Sequence, residues 1–182
     1  MDADGGPGDS GRLSSSEAIR PVEDDQWPMV GWLYQLFRHD LALVVHGLPY
    51  EDGRYAHRSL DAYPSPSHLG YVAWRNHPRT GRAAPVGFAL CERRDPATWT
   101  VGAFWVSPLI RREGVGHRLA LYALSRHAES WVITFQHENA PAGAFWRRVA
   151  DDAFGVRRWS ERRRPVPHRP DVPADHEIVA LR

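Results

Sequence analysis

The feature that most constrains the fold is a six-residue segment, Arg-Arg-Glu-Gly-Val-Gly at residues 111–116. It follows an apolar run at residues 101–106 and precedes an apolar helical pattern. Glycines at such a junction let the backbone approach a ligand closely, because no Cβ atom stands in the way. The first N–H groups of a helix have no partner within it, and the positive end of the helix dipole lies at the same place. The segment therefore predicts a strand that passes through an anion-binding turn into a helix.

Two arginines, Arg111 and Arg112, begin this turn and supply donors that suit phosphate oxygens. The same residues would also suit an ordinary strand-to-helix turn with two solvated arginines. The flanking sequence decides between these two interpretations.

Composition indicates a folded, single-domain protein and excludes several functional classes. The chain has 182 residues, of which 42% are hydrophobic and 11% aromatic, which is enough to build a core. The formal net charge of +1 argues against a general nucleic-acid binder. None of the 23 basic residues is lysine, so no lysine amine can act in catalysis.

The sequence also bears on location. Cys91 is the single cysteine, which precludes an internal disulfide and suits a reducing compartment. No apolar run reaches the roughly 18 residues of a membrane helix, and the N-terminus does not resemble a secretory signal. We therefore expect a cytoplasmic protein, and we expect no metal site.

The first part of the chain predicts a tail and then an amphipathic helix. Residues 1–17 are rich in Gly, Asp and Ser and are expected to form a flexible tail, ahead of one domain at residues 18–182. A short strand at 18–22 precedes a helix whose apolar spacing continues to about Asp40.

The rest of the chain alternates strand-like and helical patterns, with turn residues between three strands that suit an antiparallel meander. The expected elements are a short helix near residues 54–62, strands at 69–74, 85–92 and 99–106, a helix at 114–127, a strand at 131–135, a helix at 139–152 and strands at 156–164 and 176–181.

The order of these elements, together with two local motifs, resembles the GNAT superfamily of acyl-CoA N-acetyltransferases. Residues 104–116 are similar to that superfamily's strand and pyrophosphate loop. Residues 139–148, an Asn followed by a helix with paired aromatics, are similar to its second cofactor segment. The resemblance covers about residues 18–182, and residues 36–41 are similar to a bacterial branch of predicted acetyltransferases.

The resemblance implies an α/β (α+β) fold of one domain. In it, helices flank a mixed and largely antiparallel sheet, and the cofactor lies between splayed central strands. It implies acetyl-CoA as acyl donor and direct transfer of an acetyl group to an amine. It further implies that residues 111–116 hold the pyrophosphate and that the strand before them pairs with the pantetheine arm. The implied cofactor-binding residues are Trp105, Val106, Arg111, Arg112, Glu113, Gly114, Val115, Gly116, Asn139, Phe145 and Trp146.

The chain departs from the superfamily's pattern at two positions where proton-transfer groups are expected. Many relatives carry a carboxylate on the strand before the cofactor loop, where this chain has Ala103. Many also carry a tyrosine on the later helix, where this chain has Trp146. Transfer to an amine needs a base or a water relay, so other residues must supply it.

Glu138 is the first candidate base, because it directly precedes Asn139 near the expected cofactor gap. His137 beside it and Glu92, at the end of a neighbouring strand, are further candidates. His39 and Asp40, at the end of the first helix, are candidates for the wall of an acceptor site. For each residue, a solvated or capping role is the simpler interpretation.

Two functions from different classes remain open. The first is an acetyltransferase that acts on a small-molecule or peptide amine, as a monomer or homodimer and with no membrane partner. The second is a GNAT-fold module that binds acetyl-CoA in a regulatory or partner-binding role, with little or no transfer. An arginine-rich stretch at residues 157–169 suits either a solvated strand edge or an acidic acceptor, and nucleic acid is the less favoured partner because few aromatics lie among these arginines.

Overall fold

The computed structural model describes residues 17–55 and 60–181. Two 3-10 turns, Asp24–Gln26 and Pro108–Ile110, precede helices. The helices and strands are β1 (Ala18–Pro21), α1 (Trp27–Val45), β2 (His68–Asn76), β3 (Ala83–Asp95), β4 (Thr98–Val106), α2 (Val115–Ser125), β5 (Ser130–Phe135), α3 (Ala140–Phe154), β6 (Ser160–Arg164) and β7 (Asp175–Ala180).

The strands form a seven-stranded sheet in the order β1-β2-β3-β4-β5-β7-β6. All neighbours pair antiparallel except β4 and β5, which are parallel. The parallel pairing is short, since it joins only Thr98, Trp99 and Thr100 to residues 130–132. Beyond Thr100 the two strands separate, and a gap opens towards their carboxyl ends. The expected mixed, largely antiparallel sheet is thus confirmed.

A β-bulge lies in β4 where this gap begins. Leu90 pairs with Ala103 and Cys91 pairs with Val101, so Gly102 is the extra residue on β4. A bulge bends its strand and increases the local twist. The bulge therefore turns β4 away from β5 at the point where their pairing stops.

Each face of the sheet carries its own apolar core. On one face α2 and α3 pack on the sheet, with Trp99, Leu119 and Trp131 fully buried between them. On the other face α1 packs over the β2–β4 side through Val30, Leu33 and Tyr34. The second core also holds Val72, Phe88, Leu90, Ala103 and Trp105.

Several element ends differ from the sequence prediction. The helix expected to end near Asp40 continues to Val45 and ends where His46 adopts a left-handed conformation (φ 52°) before Gly47. The strand expected at residues 156–164 begins only at Ser160, because Gly155 and Arg157 have positive φ angles and turn the chain.

Two predictions fall partly on residues 1–16 and 56–59, which lie outside the described chain. These are the N-terminal tail and the short helix near residues 54–62; Arg54 and Tyr55, at the start of the latter, are not helical. The last tail residue, Glu17, is bonded to Arg118 of α2. No helix within the described residues is long and apolar enough to span a bilayer.

Candidate functional site

The turn between β4 and α2 is shaped by two residues with positive φ. Arg112 has φ 72° and Gly114 has φ 81°, and α2 begins at Val115. Within the described residues, no acceptor is recorded for the N–H groups of Arg112, Gly114, Val115 or Gly116. The start of α2 therefore offers a set of free donors beside the gap, as an anion site requires.

The two glycines of this turn meet different steric demands. Gly114 adopts a left-handed conformation that disfavours other residues, and a Cβ there would overlap the Arg118 guanidinium. At Gly116, a Cβ would lie 3.3 Å from Val106 and 3.6 Å from Phe145. Gly116 thus lets α2 approach β4 and α3 closely.

Ion pairs fix the turn from outside. The Arg75 guanidinium of β2 lies 2.5 Å from Glu113, and Arg118 makes two hydrogen bonds of 2.7 Å to Glu17. The hydrogen bonds from Arg118 hold the pKa of Glu17 below its ordinary value although burial opposes them. The turn is therefore tied both to β2 and to the residue before β1.

Asp40, a candidate for the wall of the acceptor site, lies beside the turn. Its Oδ2 accepts hydrogen bonds from the Trp105 indole at 2.9 Å and from Arg111 at 2.5 Å. The Arg111 Nε also donates to the Val106 carbonyl at 3.0 Å, so that carbonyl is already engaged. His39 is exposed, and its ring lies 6.5 Å from that of Tyr55.

The second predicted cofactor segment borders the gap on the α3 side. The Asn139 side chain accepts a hydrogen bond from the Ala142 N–H and caps α3. Phe145 is half-buried, with its ring 5.3 Å from that of Phe104 on β4. Trp146 is buried and packs edge-on to Phe104 at 5.0 Å, which makes it a core residue that supports the β4 side of the gap.

The three candidate bases lie at two different ends of the gap. His137 and Glu138 are exposed beyond the end of β5, where His137 contacts His176 at 3.0 Å and Arg163 at 2.9 Å. Glu92 pairs in register with Thr100, the last β4 residue joined to β5. Glu92 is thus at the narrow end, and His137 and Glu138 are at the wide end.

Tyr63 is a further residue near the gap, and the sequence analysis did not identify it. The Tyr63 hydroxyl donates to Glu92 Oε1 at 3.1 Å. Burial, followed by the neighbouring Glu92 charge, raises the pKa of the phenol far above its ordinary value, so Tyr63 stays protonated and acts as a donor. No local sequence signal joins two residues 29 positions apart.

The arginines of residues 157–169 do not form one surface. Arg162 and Arg164, with Arg94 of β3, surround the buried Glu177 of β7. Arg163 bonds to the Ala174 carbonyl and Arg169 pairs with Asp171. Most of these charges are therefore engaged within the protein.

The fold is that of a known family of proteins. The model of the Acetyltransferase (GNAT) family matches residues 32–150. This match spans more than half of the chain, and the protein therefore belongs to the GNAT family. A search of curated proteins found no match.

Solved structures agree on the fold. The ribosomal-protein-S18-alanine N-acetyltransferase of Escherichia coli superposes with a TM-score of 0.59 at 15% identity, covering 91% of this chain and 93% of that chain. Arabidopsis thaliana NAA60 in complex with acetyl-CoA gives a TM-score of 0.62 at 10% identity, covering 91% and 98%. An acetyltransferase from Thermus thermophilus gives 0.60 at 15% identity, covering 92% and 97%.

Proposed function

We propose that this protein is an acetyl-CoA-dependent N-acetyltransferase that transfers an acetyl group to a primary amine. The observation that carries the proposal is the gap between β4 and β5, which opens directly beside the free N–H groups at the start of α2. In a chain that belongs to the GNAT family, this gap and these N–H groups together provide a site suited to acetyl-CoA. The neighbours named above include one solved with acetyl-CoA and one that acts on a protein alanine.

The turn fits a pyrophosphate on three counts. Its free N–H groups lie at the positive end of α2. Gly114 allows the left-handed backbone that shapes the turn, and Gly116 allows α2 to start close to β4. Arg112, exposed and with positive φ, adds charge at the same place, while Arg111 is held by Asp40.

The direction of the gap indicates where the rest of acetyl-CoA would lie. From the turn, the pantetheine arm would run along β4 past Val106 and Trp105 towards the narrow end. Because the Val106 carbonyl is bonded to Arg111, the arm would pair with the remaining backbone groups of β4. Asn139 and Phe145 would border it on the α3 side, and the thioester would lie at the narrow end, near Gly102.

The first test is binding. A saturating concentration of acetyl-CoA should raise the melting temperature, because a ligand that binds only the native state stabilises it by mass action. Gly116→Glu should abolish this shift, since the larger side chain would displace Phe145 or fill the gap and would repel phosphate. Glu51→Gln, on an exposed turn away from the gap, is the control. A full shift in Gly116→Glu would mean that acetyl-CoA binds elsewhere.

The second test is transfer. Free CoA released from acetyl-CoA should rise when a suitable primary amine is added from a panel of small amines, aminoglycosides and peptides with free N-termini. Acetyl-CoA binding without CoA release by any acceptor would favour the alternative function, a binding module. That alternative draws on Ala103 and Trp146, both buried and neither able to move a proton.

A further inference from the structure

The bulge at Gly102 leaves a space on β4 that a side chain from the neighbouring strand fills. Gly102 is exposed, and a Cβ built on it would overlap the Glu92 carboxylate. Glu92 therefore reaches sideways from β3 and places its carboxylate over β4, at the narrow end of the gap.

Glu92 lies on the sheet face that α1 covers, because it follows Phe88 and Leu90 at alternate positions of β3. Its Oε1 accepts a hydrogen bond from Tyr63, itself packed against Trp27 at 5.3 Å between ring centroids. Within residues 17–55 and 60–181, Tyr63 is the residue that donates a hydrogen bond to this carboxylate. One oxygen is thus held by a buried phenol while the carboxylate stays half-buried beside the gap.

We propose that Glu92 is the general base of this enzyme and that Tyr63 positions it. The inference rests on the proposed function, since it assigns the proton acceptor for the same transfer. One proton of the acceptor ammonium passes to the Glu92 carboxylate, and the nitrogen lone pair forms the C–N bond to the acetyl carbon as the C–S bond breaks. The nitrogen loses its second proton to solvent as the amide forms, the CoA thiolate takes up one proton from solvent, and Glu92 returns its own proton to solvent.

Position separates Glu92 from the other candidates. The acyl end of the donor would lie farthest from the turn that would hold the pyrophosphate, hence near Gly102 and Thr100. Glu92 pairs in register with Thr100. Glu138 is the third residue after β5, at the opposite end of the gap, where it is exposed. Glu138 instead lies near Asp175, whose pKa is raised first by burial and then by the charge of Glu138.

Among residues 17–55 and 60–181, two charged neighbours of Glu92 are engaged with other partners. His68 of β2 lies opposite Glu92 in the strand register. Its Nδ1 contacts the Ser65 hydroxyl at 3.0 Å, and its ring lies 5.1 Å from that of Tyr63. Arg94, two residues along β3 on the same face, is paired with Glu177 at 3.0 Å. The Glu92 carboxylate is therefore available to accept a proton.

The test is Glu92→Gln, which keeps the side-chain length and an oxygen for the Tyr63 hydroxyl. Turnover should fall by about 100-fold to 10,000-fold, the usual contribution of a general base. Acetyl-CoA affinity, measured by calorimetry, should stay within about twofold, because the carboxylate does not bind the pyrophosphate or the arm. The acidic limb of the pH–rate profile should disappear with the carboxylate, which a merely structural role would not cause.

Two further variants sharpen the test. Gly102→Ala keeps Glu92 but displaces its carboxylate, because the added Cβ meets the flexible end of that side chain; turnover should fall here too, with acetyl-CoA affinity retained. Glu129→Gln removes a carboxylate that pairs with Arg93, away from the gap, and should keep wild-type turnover. If Glu92→Gln loses its cooperative melting transition, Gly102→Ala carries the test.

A readout without turnover comes from carbon-13 labelling of the glutamate carboxyl carbons. The Glu92 signal, identified by its loss in Glu92→Gln, should shift when acetyl-CoA is added, and the Glu129 signal should not. No shift at Glu92 would overturn the proposal.

The outcomes separate this inference from the proposed function. If the wild type transfers acetyl groups and Glu92→Gln stays within about threefold of it, or if Glu138→Gln alone shows the large loss, the role of Glu92 is refuted while the function stands. If the wild type releases no CoA with any acceptor, the function fails and the role of Glu92 fails with it.

Discussion

Glu177 shows how a single charged residue can be fixed inside this sheet. Its side chain is 1% exposed, and it contacts Arg162 at 2.5 Å, Arg94 at 3.0 Å and Arg164 at 3.3 Å. Burial alone would raise the pKa of Glu177, but the hydrogen bonds from Arg162 and Arg94 outweigh it and the pKa is lowered. The carboxylate is therefore charged in the folded protein, and it joins β3, β6 and β7.

Removal of this carboxylate should destabilise the protein. Glu177→Ala leaves three guanidinium groups facing one another without their shared partner. We expect a loss of about 3 kcal/mol in the free energy of unfolding. This value is the low end for a broken buried ion pair, because the arginines keep contact with water. Urea unfolding at pH 7 measures it. Asp171→Ala, which removes an exposed partner of Arg169, should change the free energy by less than about 1 kcal/mol.

The same pair predicts a pH dependence. Because the folded-state pKa of Glu177 lies below its ordinary value of 4.5, its stabilisation is fully present above that value and is lost as the pH falls through the folded-state pKa. The difference in unfolding free energy between wild type and Glu177→Ala should therefore shrink as urea titrations move from pH 7 towards pH 3. A constant difference would show that the carboxylate is not what stabilises this site.

At the scale of elements, the sequence predicted best what local chemistry determines. The helix that follows Asn139 and the turn at residues 111–116 depend on neighbours within a few positions, and both were predicted. The contacts of Asp40 were not, because Trp105 and Arg111 lie 65 and 71 residues away along the chain. The bulge at Gly102 depends on the register between two strands, which a single sequence does not specify.

The N-terminal segment provides a prediction at this scale. Deletion of residues 1–14 should leave the melting temperature and acetyl-CoA binding unchanged, because that segment has no apolar pattern to contribute to a core. Glu17→Gln should instead lower stability by up to about 1 kcal/mol, since it weakens the pairing with the half-exposed Arg118. A drop of several degrees in melting temperature after deletion of residues 1–14 would show that this segment packs against the domain.

At the scale of the whole molecule, the sheet consists of two halves whose strands pair over a short stretch. Strands β1–β4 and β5–β7 are joined by the three register pairs between β4 and β5, by the Arg94–Glu177 and Arg93–Glu129 ion pairs and by the apolar core under α2 and α3. Such a junction leaves backbone groups of β4 and β5 facing the gap, where a ligand with amide groups can pair with them as an added strand does. The inner edges of β4 and β5 are thus left without a strand partner beyond these pairs, while their outer edges pair with β3 and β7.

Hydrogen exchange tests this view of the molecule. Without a ligand, amides of β4 beyond Thr100 and of β5 beyond Val132 that face the gap should exchange quickly, because no strand partner protects them. Acetyl-CoA at 100 times its Kd should slow them by up to about 100-fold, which corresponds to about 2.7 kcal/mol of stabilisation. Amides on the outer edge of β6 exchange by local fraying and should change little, so they are the internal control. Slowing confined to the start of α2, with none along β4 and β5, would show that the pyrophosphate binds at the turn but that the arm does not enter the gap.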